Sequence, residues 1–527
     1  MRLVIAAVAL LVAGLSVAVQ HPASAASSLN RPEDPVVITG ADVPSLQGVS
    51  PSTVVAFRYL GGWQQVPVQV DERFTQTLQN VYNNVAGLPS NTNIAVLVYA
   101  DAGTFTGADP NPNVDADDEI ALMAKDAGDA SPTSILPAHV VFGSGAQLTI
   151  TDPLQPGATG YVYLFKQDGA LDPAAGQSYV SYNFNLLSGN YKTTYKLAGT
   201  LSGDPNPGNP ENSLVTTANY THHFSDRWDS DQLQVTVGGS TGVDILDRHK
   251  ALFAPGVCTR SEDTFDLGSS SFRGEGAFIT NRVGPIRAIR SYIGANSGPN
   301  TQREHVFYAQ REDIRTFLRV HAIPSVMDFF DYSPAASGMT YHNNLNTGGV
   351  TIDGAPETPA AGPITWEMAT GAQGSLVLSG SISTNVPSFN YTSYYLDDTT
   401  PPVTQCTGDA FAYGSSGVYV NMSIPNTDPG IGGTNYLNTV RTIYYEPPGV
   451  TTTDAQNYSS RANTPLAVSA STWPAGVGGR AVQVDPRSLA GGGSTATWGA
   501  LAGLAATAAA FGIAAAALVA RRRRSHR

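Results

Sequence analysis

Cysteine is nearly missing: there are two, Cys258 and Cys406, in 527 residues. That excludes a disulfide-framework miniprotein and any zinc domain built on several cysteines. Charge is thin as well, 13% of the chain against 42% hydrophobic residues, and lysine occurs five times in all. So much hydrophobicity excludes general disorder. Basic residues are scarce where they would matter for nucleic acid. Arg2 and five arginines from Arg521 to Arg527 sit at the ends, and the stretch between carries 23 basic and 42 acidic residues, net −19. Such a body lacks the basic footprint of a nucleic-acid binder. The chain also has no P-loop, no G-x-S-x-G elbow, no H-E-x-x-H helix and no LPxTG-type sorting motif. Nucleotide hydrolysis, elbow esterases, zinc proteolysis and covalent wall attachment lose their usual support.

Long apolar runs are confined to the two ends. Met1-Arg2 leads into Leu3–Val19, interrupted by Gly14 and Ser16, and Ala23-Ser24-Ala25 closes it with the small-x-small pattern of a signal peptidase site. Residues 1–25 are therefore expected to be a signal peptide. Ala496–Ala520 is 25 residues without a charge, enough to cross about 30 Å of hydrocarbon. Arg521–Arg524 follow directly, a basic stop that stays on the cytoplasmic side. The expectation is a single-pass cell-membrane protein whose body is extracellular and whose residues 521–527 form a cytoplasmic tail. In that compartment Cys258 and Cys406 are expected to form a disulfide, with two buried free thiols as the alternative. The bridge would close about 148 residues and contribute roughly 4–5 kcal/mol in the chain-entropy model.

Helical periodicity is nearly absent from the body. Short runs rich in Val, Ile, Tyr, Phe and Thr alternate with Gly, Pro, Asn and Asp clusters, the pattern of many strands joined by turns. Strands are expected at Val54–Leu60, Ile94–Tyr99, Tyr161–Lys166, Gln232–Val237, Ile286–Ile293, Ile314–Ala322, Leu376–Leu378 and Val440–Tyr445. The fold class is all-β, with antiparallel sandwiches rather than a parallel sheet. Composition divides it into an N-terminal β domain (26–150), a large β-sandwich domain (151–450) and a Pro/Gly/Ser/Thr-rich stalk (451–495) before the transmembrane helix.

Two regions draw attention for chemistry. Asp115, Asp117, Asp118 and Glu119, preceded by Asp109-Pro-Asn-Pro-Asn113, crowd oxygens of the kind Ca²⁺ takes, although the EF-hand glycine and final glutamate are missing. The plainer reading is a solvated acidic loop. The second region holds six of the nine histidines: His222, His223, His249, His305, His321 and His342. From Arg248 to Arg319 eleven Arg and Lys face seven Asp and Glu, net +4 inside the acidic body. Arginine grips carboxylates bidentately and histidine moves protons near neutral pH. Strand alternation puts Arg315, Phe317, Arg319 and His321 on one face, either solvent-exposed or lining a cleft, and Arg290 and Tyr292 on one face of their own strand. The candidate catalytic set is His305, His321, Arg290, Arg319, Tyr308 and His223. Trp228, Asp226, Arg227 and Arg260 are candidates for holding substrate. For each histidine taken alone, a satisfied structural or exposed residue is the favoured reading, and it is the clustering that raises the set.

The segments Gly284–Arg290, Glu304–Tyr308 and Ile314–His321 share a rhythm similar to the core strands of galactose-mutarotase-like supersandwich proteins. Trp63–Asp71, followed by the Asp115–Glu119 loop, resembles the N-terminal sheet of secreted proteins of that kind. The resemblance covers about residues 50–350. It implies a supersandwich and a sugar-related or polysaccharide-lyase-like activity, and it carries no catalytic residue over. The leading expectation is thus a surface-anchored enzyme acting on polysaccharide, as a lyase using the set above or as a glycoside hydrolase using two of Glu262, Asp263 and Glu275. Alternatives are a non-catalytic glycan binder using Trp228 and Trp366, or a structural envelope protein.

Overall fold

The computed structural model describes residues 27–78, 94–132, 135–187, 211–255, 277–295, 298, 300–400 and 411–474, and the backbone of 480–482. The expected signal peptide, transmembrane helix and tail lie outside these residues, as do Cys258, Cys406, Arg260, Glu262, Asp263 and Glu275. Among the described residues no helix is long and apolar enough to cross a membrane.

Among the described residues four of five sheets stack in layers, the fifth being the pair Arg73–Thr77 and Ala95–Tyr99, and every strand pairing is antiparallel. A nine-stranded sheet runs, in spatial order, through Ala277–Val283, Ala288–Ile293, Gln302–Phe307, Arg311–Phe317, Leu437–Glu446, Gly374–Thr384, Trp366–Gly371, Thr340–Asn343 and Asn346–Thr351. On one face lies an eight-stranded sheet of Val180–Asn183, Ser213–Thr217, Tyr220–Phe224, Ser230–Val235, Leu246–Leu252, Val326–Tyr332, Ala412–Val420 and Thr392–Asp398. Their facing side chains, among them Tyr220, Phe224, Phe330, Phe307, Ile314 and Leu376, share one apolar cluster. The other face meets a three-stranded sheet, Pro35–Thr39, Glu119–Met123 and Gln69–Asp71, which is itself covered by a six-stranded sheet. Strand alternation explains the stacking. Val36, Ile38, Ile120 and Leu122 point to the six-stranded sheet, while Val37, Ala121 and Met123 point to Val306 and Phe317 of the nine-stranded one. Strands buried on both faces read as continuous apolar runs, as Val-Val-Ile and Ile-Ala-Leu-Met do here.

The six-stranded sheet corrects the expected boundaries. Its order is Arg480–Val482, Ala467–Thr472, Ala146–Thr151, Thr159–Lys166, Val54–Tyr59 and Trp63–Val66. The N-terminal unit therefore reaches past residue 150 and takes a strand from the segment expected to be stalk. That segment also holds a helix, Thr452–Asn463, capped by Thr451: its hydroxyl accepts from Asp454 N–H at 3.2 Å and donates to the Asp454 carboxylate at 2.6 Å. Ala455 and Ala462 pack the helix on Trp366, Met368 and Val377. Its Ser/Thr/Asn-rich composition reads as a linker, yet the small residues at Ala455, Ser459 and Ala462 supply a narrow buried stripe.

The expected strands are present. Ile314–Ala322 is displaced: the strand is Arg311–Phe317. The charged Arg-Glu-Asp run that reads as a turn is its first half, and all seven of its residues are buried.

Candidate functional site

The nine-stranded sheet carries ionisable side chains on both faces, and alternation sorts them. Towards the eight-stranded sheet point Arg290, Arg303, His305, Glu312 and Arg441. Towards the N-terminal unit point Glu304, Arg311, Asp313 and Arg315. Arg315 pairs with Glu304 at 2.8 Å in a buried contact, so it faces neither solvent nor a cleft, contrary to expectation. The strand ends at Phe317, and alternation does not reach Arg319 or His321.

Between the two large sheets the polar groups form two linked clusters. In the first, Glu312 accepts from His305 Nδ1 at 2.7 Å, from His222 Nδ1 at 3.0 Å and from the Tyr445 hydroxyl at 2.5 Å. Burial drives the His305 ring to its neutral form, with its pKa down to about 3. Burial opposes the Glu312 charge, but His222 and His305 outweigh it and hold the carboxyl below its usual range. In the second, Asp328 receives Arg303 Nη2 at 2.6 Å, Arg441 Nη1 at 2.7 Å and His249 Nε2 at 2.9 Å. Arg441 reaches on to Glu367 at 2.7 Å, and the Tyr341 hydroxyl donates to the same carboxylate at 3.2 Å. His249 stacks on Phe330, centroids 4.2 Å apart, and burial presses its pKa down to about 4 against the pull of Asp328. Burial would raise Asp328, yet Arg303 and Arg441 hold it well below the carboxylate range. His249 and His305 meet edge to face at 6.2 Å and join the clusters.

A cavity of about 40 Å³ opens onto the second cluster. Arg303, Asp328 and Arg441 form its charged floor, with Thr316, Ser381 and Thr439 beside them. Ile364, Ile382, Leu318, Val326, Val418 and Tyr391 form apolar walls. Two glycines shape it. A Cβ at Gly417 would lie 2.1 Å from the Asp328 carbonyl oxygen, so only glycine lets that neighbouring strand approach. A Cβ at Gly380 would meet nothing within 4 Å, because it would project into open space. At about 10–15 Å³ per water the cavity holds about three waters, or the hydroxyl edge of a larger ligand.

Of the residues singled out in the sequence, His305, Arg290, Trp228, Asp226 and Arg227 do come together. Arg290 pairs with Glu211, donates to the Arg227 carbonyl at 2.8 Å and to the Asp226 carbonyl at 3.2 Å, and lies over Phe224 at 4.1 Å. Phe224 in turn meets His305 edge-on at 5.1 Å. Trp228 is buried, its indole N–H on the Gly294 carbonyl at 2.7 Å, so it is no open sugar platform. Tyr308 lies in the cluster on the opposite face, beside Arg287 at 3.4 Å. His223 faces away from the sandwich interior, between Asp231 at 2.6 Å and Asn212 at 2.8 Å. Arg319 is buried beside Asn300, and His321 is exposed with Nδ1 on the Ala322 carbonyl. The six do not converge.

The acidic run is largely committed to the protein itself. Asp118 accepts backbone N–H groups of Arg73 at 2.7 Å and Asp115 at 2.8 Å. Glu119 binds Arg73 at 2.7 Å, Arg287 at 2.6 Å and the Tyr99 hydroxyl at 2.8 Å. Asp117 is pushed up to about 7 by burial and by the neighbouring Asp115. Carboxylates so engaged leave little for Ca²⁺. Among the described residues, three carboxylates whose oxygens do lie within 4.8 Å of one another are Asp353, Glu357 and Asp397. There Asp397 is already held by the N–H groups of Asp353 at 2.8 Å and of Gly354 and Gly414, each at 3.0 Å.

Asp328, Arg303, Arg441, Glu312 and Glu367 escaped sequence reasoning. The available signal was the pair of neighbouring segments Gln302–Phe307 and Arg311–Phe317, which carry charge at both parities. In adjacent strands of a large sheet that pattern means ion pairs on two buried faces.

No family model matches the chain, and no curated protein matches it. Among solved structures it is similar to a putative aldose 1-epimerase from Escherichia coli K12, at 9% identity and a TM-score of 0.28 over 51% of this chain and 100% of that one. It is similar also to a galactose 1-epimerase from Lactobacillus acidophilus NCFM, at 7% identity and a TM-score of 0.28, with the same coverage. At such scores neither likeness bears on what this chain does.

Proposed function

We propose that the protein is an exported, membrane-anchored carbohydrate-binding protein whose ligand places a hydroxyl edge in the cavity over Arg303, Asp328 and Arg441. The carrying observation is the make-up of that floor. Two guanidinium groups face two carboxylates, Asp328 and Glu367, and the adjacent His249 is held neutral. Fixed donors and acceptors without net charge suit a neutral polyol; an anion would find every arginine already paired. Apolar walls and Tyr391 at the lining suit the C–H face of a sugar ring. The compartment follows from Leu3–Ala25 and Ala496–Arg524.

Binding has more support than catalysis on an acidic polymer. His305 is sealed in a hydrogen bond to Glu312 and Arg290 in an ion pair with Glu211, and Tyr308 lies across the sheet from them. Full-length protein in detergent, run through native gels containing neutral or uronate-rich polysaccharides, tests the reading. Retardation by a neutral polymer is expected, lost at least tenfold in Gly380→Leu with the melting temperature unchanged. Retardation by no glycan, or undiminished binding by the variant, overturns it. Release of reducing ends or unsaturated uronate from any polymer would restore the enzymatic reading.

A further inference from the structure

The outward face of the six-stranded sheet is aromatic. Phe57, Tyr163, Phe165 and Trp473 are buried there, and Trp63 meets Tyr163 edge-on at 5.0 Å and Trp473 at 5.3 Å. The loop from Ile135 to Ser144 lies against this nest. The Ile135 carbonyl accepts the Trp63 indole N–H at 2.9 Å, and Val141 N–H donates to the Lys166 carbonyl at 2.8 Å. Held so, the loop turns three apolar side chains outward: Phe142 is 80% exposed, Ile135 74% and Val141 38%. One exposed apolar side chain is ordinary, whereas several on one loop fixed to an aromatic floor mark an interaction surface.

The course of the chain says what covers it. Trp473 N–H donates to the Gly145 carbonyl at 2.9 Å, which ties the end of the strand Ala467–Thr472 to the residue three along from Phe142. The last strand, Arg480–Val482, is the edge of this same sheet. Residues 483–495, thirteen in number, separate it from the uncharged stretch Ala496–Ala520. A coil of that length spans about 20 Å on average and about 45 Å at most. The sheet that carries Phe142 on its outward side is therefore tethered to that stretch through its own edge strand, with Val482 opposite Val468.

We infer that Ile135, Val141 and Phe142 form a lipid contact that inserts into the interfacial layer of the membrane holding the chain's own C-terminal span. Aromatic and aliphatic side chains partition to that layer, and the contact would fix how the four-layer body stands on the surface. The rim carries His139 and Asp168, 3.3 Å apart, rather than a basic cluster, so attachment is apolar and insensitive to salt. The inference rests on the anchored reading of the chain and is independent of the glycan cavity, which is tested in detergent.

The test is photocrosslinking of the full-length protein in phosphatidylcholine vesicles, with benzoylphenylalanine replacing Phe142 or, separately, Ile135. Lipid adducts are expected from both positions, equally in low and molar salt. At least tenfold less is expected when the probe replaces Leu345, exposed on the edge hairpin of the nine-stranded sheet. Phe142 is solvent-facing, so the substitution leaves folding intact. Absence of lipid adducts, equal labelling at Leu345, adducts to a second copy or to residues 483–495, or failure of the chain to incorporate into vesicles each overturns the inference.

Discussion

Two interiors of this molecule are built from the same antiparallel alternation and are filled differently. Between the six- and three-stranded sheets the packing is dry: Val54, Leu148, Ile150, Val162 and Leu164 meet Val36, Ile38 and Leu122. Both faces of the nine-stranded sheet instead bury ion pairs. Arg287 joins Asp71 at 2.8 Å and Glu119 at 2.6 Å on one side, and Arg303 and Arg441 clasp Asp328 on the other. Apolar burial alone is the more economical way to stabilise a layer, because desolvating two charges cancels most of their attraction. The charged layers are better explained by what they position: the docking of the N-terminal unit on one face, and the cavity on the other.

The sharpest test of that contrast is removal of one charge. Arg287→Leu takes from buried Asp71 its 2.8 Å ion-pair partner and leaves Glu119 to Arg73 and Tyr99, and it is expected to cost about 3–5 kcal/mol in urea unfolding. Adding Asp71→Asn, with Glu119 left on Arg73, should recover much of the loss, and failure to recover would break the ion-pair account. In the dry layer Leu164→Ala should cost about 3 kcal/mol, with the same value at pH 5 and pH 8.

The layers should also differ in acid. Burial depresses His249 to about 4 and His305 to about 3, below the usual value near 6.5. A depressed histidine contributes its stability above the unfolded pKa and loses it as pH falls towards the folded one. The free energy of urea unfolding should therefore fall between about pH 6.5 and pH 4, by up to about 3 kcal/mol for His249, and fall less in His249→Gln. Glu119, held at about 2 where Arg73 and Arg287 outweigh its burial, should add a further loss below about pH 4.5. The smallest effect is expected at the rim: Thr451→Ala removes a helix cap and should cost about 1 kcal/mol.

Much of the fold was legible because strands announce themselves locally. Val54–Tyr59, Thr159–Lys166 and Leu437–Glu446 carry β-branched and aromatic runs between turn residues. Arg311–Phe317 was misplaced because Arg-Glu-Asp reads as loop until its partners are known. Those partners are distant: Asp34 lies 277 residues from Arg311, and Tyr445 lies 133 from Glu312. The same distance hid the site. The sequence marks residues 222–342 as rich in Arg and His, yet only the folded chain shows that Arg290, Arg303 and His305 are engaged by carboxylates. The small-residue stripe of Thr452–Asn463 was likewise invisible without the sheet it lies on.

One pairing has a consequence for how such a chain matures. Ala467–Thr472 completes the six-stranded sheet beside Ala146–Thr151, across 316 residues between Thr151 and Ala467, and Arg31 bonds the carbonyls of Arg461 and Thr464, each at 2.8 Å. The amino-terminal layer therefore cannot seal until nearly all of the body has been synthesised. Closing a loop that long before any reward makes assembly slow. A chain truncated at residue 450 should leave its first sheet open and sensitive to protease, however long it waits.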